Sequence, residues 1–124
     1  MKKILVIEDD PLVSAALERV LTQQNYEVIL AANGKESLSV LEQQTPDLIV
    51  TDILMPNMDG IELIMKLRHD DGSSIPIIAI SGGGTVGPQG YLEDAEALGA
   101  DMTLKKPFTN EVLIKEVKLL TESH

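Results

Sequence analysis

The chain predicts a single α/β domain built on an open, doubly wound parallel sheet. Three observations carry that reading. Five short runs rich in Ile, Val and Leu recur along the 124 residues. Each run is followed by a stretch with helical periodicity. The runs are continuously apolar instead of alternating, as strands covered on both faces are. With 44% hydrophobic residues, the chain has the material for one substantial core.

Strands are expected at residues 4–7, 26–31, 48–51, 77–80 and 102–104. Asp10 followed by Pro11 reads as an N-cap with proline at the first helical position. Leu12, Val13, Ala16, Leu17, Val20 and Leu21 then mark the expected buried face of the first helix. Asn33 with Glu36 three residues on reads as a capping box, and Pro46 ends the second helix. Gly60 opens a third helix with Ile61, Ile64 and Met65 on its inner side. A short fourth spans residues 91–98 and stops at Gly99. Thr109 caps the last, which runs to about residue 120 and uses up the chain. Its core stripe is Leu113, Val117 and Leu120, with Val112, Ile114 and Leu119 widening the apolar arc. Five βα units with right-handed crossovers give the doubly wound sheet, and nothing in the composition marks a second domain across residues 1–124.

Charge and composition narrow the function. Twenty acids against ten bases leave a net charge of −10, and the only basic doublets are Lys2-Lys3 and Lys105-Lys106. A nucleic-acid surface needs clustered cations, or aromatic platforms for single strands; aromatics are only 2% here. Direct nucleic-acid binding is not expected. The absence of cysteine removes disulfides, thiol nucleophiles and zinc–thiolate sites. No apolar run approaches a membrane span, and the N-terminus carries no signal-peptide pattern, so a soluble cytoplasmic protein is expected.

In a sheet of this kind the site lies beyond the carboxyl ends of the strands. Glu8, Asp9 and Asp10 follow the first strand, Asp52 the third, Ser81 the fourth, and Lys105-Lys106-Pro107 the fifth. Carboxylates crowded together repel and call for a cation, and hard oxygen ligands in a wet pocket suit Mg²⁺. A carboxylate can act as a nucleophile towards phosphorus, while a lysine and a hydroxyl can bind phosphoryl oxygens. The rim reads as a Mg²⁺-assisted phosphoryl-transfer site.

Those residues carry a family resemblance over essentially the whole chain. The stretches Ile4-Leu5-Val6-Ile7-Glu8-Asp9-Asp10-Pro11, Leu48-Ile49-Val50-Thr51-Asp52-Ile53-Leu54-Met55-Pro56 with Asp59-Gly60, and Gly99-Ala100-Asp101 leading to Lys106-Pro107-Phe108 resemble the receiver domain of bacterial two-component response regulators. The resemblance implies a flavodoxin-like fold with strand order 2-1-3-4-5 and five helices. It also implies a stand-alone, chemotaxis-regulator-like switch. In that reading Asp52 accepts a phosphoryl group from a sensor histidine kinase or a histidine phosphotransfer protein. Glu8, Asp9, Asp52 and the Leu54 backbone carbonyl hold Mg²⁺, Glu8 through water. Ser81 is the switch hydroxyl and Lys106 the lysine paired with the acids. The protein would lose its phosphate by autodephosphorylation and act on no separate substrate. Its output would be a downstream protein target, or a phosphorylation-dependent dimer through the face of the fourth helix, fifth strand and last helix. The competing class is a phosphorylation-independent interaction module on the same fold. A response to beryllofluoride or a small phosphodonor with Mg²⁺ separates the two.

Several residues have a plainer reading. Asp10 is a helix cap before it is a metal ligand, because Pro11 follows it. Lys105 is set aside in favour of Lys106, which precedes the proline. His69 and His124 are read as solvated. Residues 82–87 satisfy G-x-G-x-x-G, but they follow the fourth strand and the chain has no second mononucleotide-binding half. A glycine loop beside Ser81 is the better reading. Against the family pattern, Gly82 replaces a small side chain, Ser81 the commoner threonine, and Thr103 an aromatic switch residue.

Overall fold

The computed structural model describes residues 1–53, 60–81 and 99–122. Its strands are β1 (Lys3–Ile7), β2 (Glu27–Ala31), β3 (Leu48–Asp52), β4 (Ile77–Ser81) and β5 (Met102–Lys105). They form one parallel sheet in the order β2-β1-β3-β4-β5, as the family resemblance implies. All five strands lie where apolar runs placed them. Their ends differ by a residue, and the shift matters at β3 and β4, whose last residues are Asp52 and Ser81.

The helices are α1 (Pro11–Gln23), α2 (Gly34–Gln43), α3 (Gly60–Met65) and a C-terminal helix (Asn110–Glu122). A π-helical turn, Lys66–Asp70, continues α3. The expected fourth helix (residues 91–98) and the glycine-rich stretch 82–87 lie outside the described residues, as does Leu54.

The expected caps form. Asp10 accepts from Leu12 N at 2.9 Å, Asn33 from Glu36 N at 2.9 Å, and Thr109 Oγ1 from Val112 N at 3.1 Å. Glu36 closes its turn by accepting from Ala32 N, one residue before the N-cap.

Side-chain alternation along the strands feeds two cores. Leu5, Ile7, Ile49, Ile53, Ile77 and Ala79 pack with α2 and α3. Ile4, Val6, Val50, Ile78, Ile80 and Leu104 pack with α1 and the C-terminal helix, around Leu21, Leu113 and Val117. Burial on both faces of β1, β3 and β4 explains why those runs carry no polar alternation, whereas the edge strands β2 and β5 are only partly buried.

Two expected inner faces are corrected. Leu12 is 83% exposed and Ala16 is exposed as well. At about 100° per residue, Val13, Leu17, Val20 and Leu21 form one stripe, and Leu12 falls about 130° from its centre. In α3 the buried residues are Leu63 and Ile64, with Leu67 in the π turn, whereas Met65 is 45% exposed. The Ile61 side chain is not among those described. The C-terminal helix keeps its expected stripe, and Val112 and Leu119 stay exposed. No helix among the described residues is long and apolar enough to cross a membrane.

Candidate functional site

Because the sheet is parallel, the residues ending its strands meet along one edge. Glu8 follows β1 directly, and its amide donates to Ala31 O of β2 at 3.0 Å. Asp52 ends β3, in the central strand of the five. Lys106 follows β5, joined to Pro107 by a cis peptide bond. Carboxylate oxygens of Glu8, Asp9 and Asp52 lie within 4.8 Å of one another. The Lys106 Nζ stands 3.6 Å from Asp52 Oδ2 and 3.8 Å from Glu8 Oε1. Asp10, outside the cluster, is spent on its cap, and Lys105 is exposed. Ser81 ends β4 with Lys105 as its register partner; the Ser81 side chain is not described.

The acids do not share one environment. Asp9 is exposed, whereas Glu8 retains only 5% of its surface. A cavity of about 20 Å³ is lined by the polar Glu8, Asp52 and Lys106 and by apolar residues that include Val13, Leu17 and Phe108. An open groove lined by Asp9, Ser14 and Glu36 gives solvent access from the outside. Burial is the largest cause pushing the Glu8 carboxyl up from its ordinary 4.5 to about 8. A hydrogen bond shared with Asp52 and the charges of Asp52 and Asp9 add to it, and Lys106 pulls the other way. With Glu8 holding its proton at neutral pH, one ammonium still faces two carboxylate charges, which leaves surplus negative charge. The donor set is made of hard oxygens, so it fits a small divalent cation such as Mg²⁺.

The model of the response regulator receiver domain family matches residues 4–118. The chain belongs to that family. A receiver is the phosphorylation-controlled switch of a two-component system, and receivers bind Mg²⁺ at an acidic site such as the one described here. Response regulator MprA of Mycolicibacterium vanbaalenii is 36% identical over 118 residues, which are 95% of this chain and 49% of that protein. Probable transcriptional regulator ycf27 of Cyanophora paradoxa is 37% identical, over 96% of this chain and 48% of its own. This receiver therefore spans about half the length of the curated relatives it matches. Among solved structures, the Francisella response regulator 1452 receiver domain superposes with a TM-score of 0.89 at 28% identity, covering 99% of this chain and 98% of that one. The receiver domain of sensor histidine kinase PA1611 from Pseudomonas aeruginosa, with a magnesium ion coordinated in its active site cleft, gives a TM-score of 0.85 at 28% identity. That match covers 98% of both chains.

Two features of the site escaped sequence reasoning. Phe108, quoted only as part of a motif, forms part of the apolar wall behind the acids. Thr51 is fully buried beside Asp52, and its hydroxyl donates to the Asp52 carbonyl oxygen at 2.9 Å. The available signal was a lone hydroxyl at the end of the apolar run 48–50.

Proposed function

We propose that Asp52 is the phosphoacceptor of this receiver, and that residues 1–124 form one switch domain that accepts a phosphoryl group from a histidine kinase or histidine phosphotransfer protein. The observation that carries this reading is the placement of Lys106 Nζ 3.6 Å from Asp52 Oδ2 within a three-carboxylate cluster. A carboxylate oxygen of Asp52 attacks phosphorus, the P–N bond of the donor phosphohistidine breaks, and its electron pair returns to the imidazole. Lys106 offsets the charge that gathers on the phosphoryl oxygens during that exchange. The Ser81 hydroxyl binds one of those oxygens afterwards.

Glu8, Asp9, Asp52 and the Leu54 backbone carbonyl would hold Mg²⁺, Glu8 through water. The cation, when bound, supplies the positive charge that one lysine cannot match against three acids. Asp52 is half-buried, and the outer groove beside Asp9 and Ser14 leaves room for the donor. The protein works in the cytoplasm and passes its signal to a downstream protein target or to a second copy of itself. It turns over no separate substrate.

Fluorine NMR with beryllofluoride tests the reading. A bound beryllofluoride signal should appear only when Mg²⁺ is present and should vanish in Asp52→Asn. A bound signal that survives in Asp52→Asn would move the acceptor elsewhere.

A further inference from the structure

Among the described residues four polar side chains are buried: Glu8, Ser37, Thr51 and Thr121. Glu8 belongs to the acid cluster. Ser37 and Thr121 lie in helices, where each hydroxyl returns to a carbonyl three or four residues back, Gly34 O at 2.6 Å and Val117 O at 2.8 Å. Thr51 alone lies within a strand. It shares the α2/α3 face with Ile49 and Ile53, and its register partners are Ile7 and Ala79. Valine would fill that space equally well, and a hydroxyl in such surroundings is costly unless it is bonded.

The bond it makes goes to the carbonyl of the very residue that carries the site's central carboxylate. The same peptide group is held at its other end, where Ile53 N donates to Ile80 O of β4 at 3.0 Å. The Asp52–Ile53 peptide is thus bonded at both its C=O and its N–H, at the point where β3 ends. Clamping that plane restricts the rotation between the Asp52 Cα and its carbonyl carbon, and with it the direction of the Asp52 side chain.

We propose that Thr51 is a positioning residue for Asp52: its buried hydroxyl, donating to the Asp52 carbonyl, fixes the strand end so that the carboxylate stays aimed at Lys106 and the other acids. The proposal rests on Asp52 being the phosphoacceptor. It adds a specific claim, that the hydroxyl and not the bulk of residue 51 sets the reaction geometry. Misplacing a reacting group by a fraction of an ångström slows the chemical step without abolishing binding.

The test compares wild type, Thr51→Val and Thr51→Ser, with acetyl phosphate as donor, Mg²⁺ present and intact-protein mass as readout. Thr51→Val keeps shape and loses the hydroxyl, and should phosphorylate about tenfold more slowly at saturating donor, with Mg²⁺ affinity held within about twofold. Thr51→Ser keeps the hydroxyl and loses a methyl; its melting temperature should fall while its rate stays within about twofold of wild type. If Thr51→Val does not fold, Thr51→Ser against Thr51→Ala asks the same question, since only serine retains the donor. Equal rates for valine and wild type, or equal slowing by valine and serine, overturn the proposal. If wild type forms no acyl phosphate at all, the assignment of Asp52 fails first and takes this proposal with it.

Discussion

The Lys106 ammonium sits 3.6 Å from Asp52 Oδ2, beyond direct hydrogen-bond length and within ion-pair distance. It therefore lowers the charge of the pocket without tying down the carboxylate. Replacing Lys106 by methionine keeps the stem and removes the charge. Phosphoryl acceptance should fall about 100-fold or more. Mg²⁺ binding, measured by calorimetry, should be as tight as in wild type or tighter, because three acids then face the cation with no competing ammonium. Weaker Mg²⁺ binding in Lys106→Met would mean that the lysine organises the acids and does not simply offset them.

Glu8 carries a pH dependence whose sign is definite. Its carboxyl titrates at about 8 in the fold against 4.5 ordinarily, so the folded chain holds a proton that the unfolded chain releases. That contribution to stability is complete below pH 4.5 and is lost as pH rises towards about 8. Metal-free protein should accordingly lose stability across that range, on the order of a few kcal/mol from this group, in urea titrations at stepped pH. Mg²⁺ competes with the same proton, so its affinity should rise with pH over the same interval.

Asp52→Asn removes one of the charges that raise Glu8. The pH slope should flatten, and metal-free Asp52→Asn should be more stable than wild type at pH 7.5, by about 1–2 kcal/mol. Denaturation at two pH values decides it; an unchanged slope would show that burial alone governs Glu8.

Asp9 and Asp10 are neighbours with different tasks. Asp9→Ala should weaken Mg²⁺ binding at least tenfold and leave stability nearly unchanged. Asp10→Ala should cost about 1 kcal/mol of stability through the lost cap on Leu12 N and leave Mg²⁺ affinity within about twofold. The reverse order in a Mg²⁺ titration would exchange their assignments.

At the opposite end of the sheet, Gly99 has φ +123°, and a Cβ there would meet Arg68 Cγ at 2.7 Å. The Arg68 side chain cannot easily retreat, because Nε donates to Gly99 O at 3.0 Å and Nη2 to Asp101 Oδ2 at 2.9 Å. Gly99→Ala should destabilise by about 1–3 kcal/mol in denaturant unfolding, with Mg²⁺ affinity unaffected.

The inner strands β1, β3 and β4 were readable because parallel strands buried on both faces leave apolar runs, and the caps at Asp10, Asn33 and Thr109 because each needs one side chain at one spacing. The grouping of Glu8, Asp9, Asp52 and Lys106 was readable for a topological reason: any residue just past a parallel strand reaches the same edge. Tertiary geometry had to supply the rest. Leu12 counts as apolar in any pattern, yet its angle on the helix carries it outside the packed stripe. Glu8 sits in a run of three acids that looks solvated, yet it is buried, with its amide bonded to Ala31 of β2 and its side chain lining the cavity with Val13, Leu17 and Phe108. Thr51 is indistinguishable from an ordinary strand residue until its hydroxyl is seen to meet the Asp52 carbonyl.

On the proposed reading, Asp52 takes the phosphoryl group when Mg²⁺ is present. Incubating wild type and Asp52→Asn with acetyl phosphate, with and without Mg²⁺, and weighing the intact proteins tests it most directly. Wild type with Mg²⁺ should gain the mass of one phosphoryl group and lose it to hydroxylamine, which cleaves acyl phosphates; Asp52→Asn and the Mg²⁺-free sample should not gain it. No gain in wild type, or an equal gain in Asp52→Asn, would contradict the account.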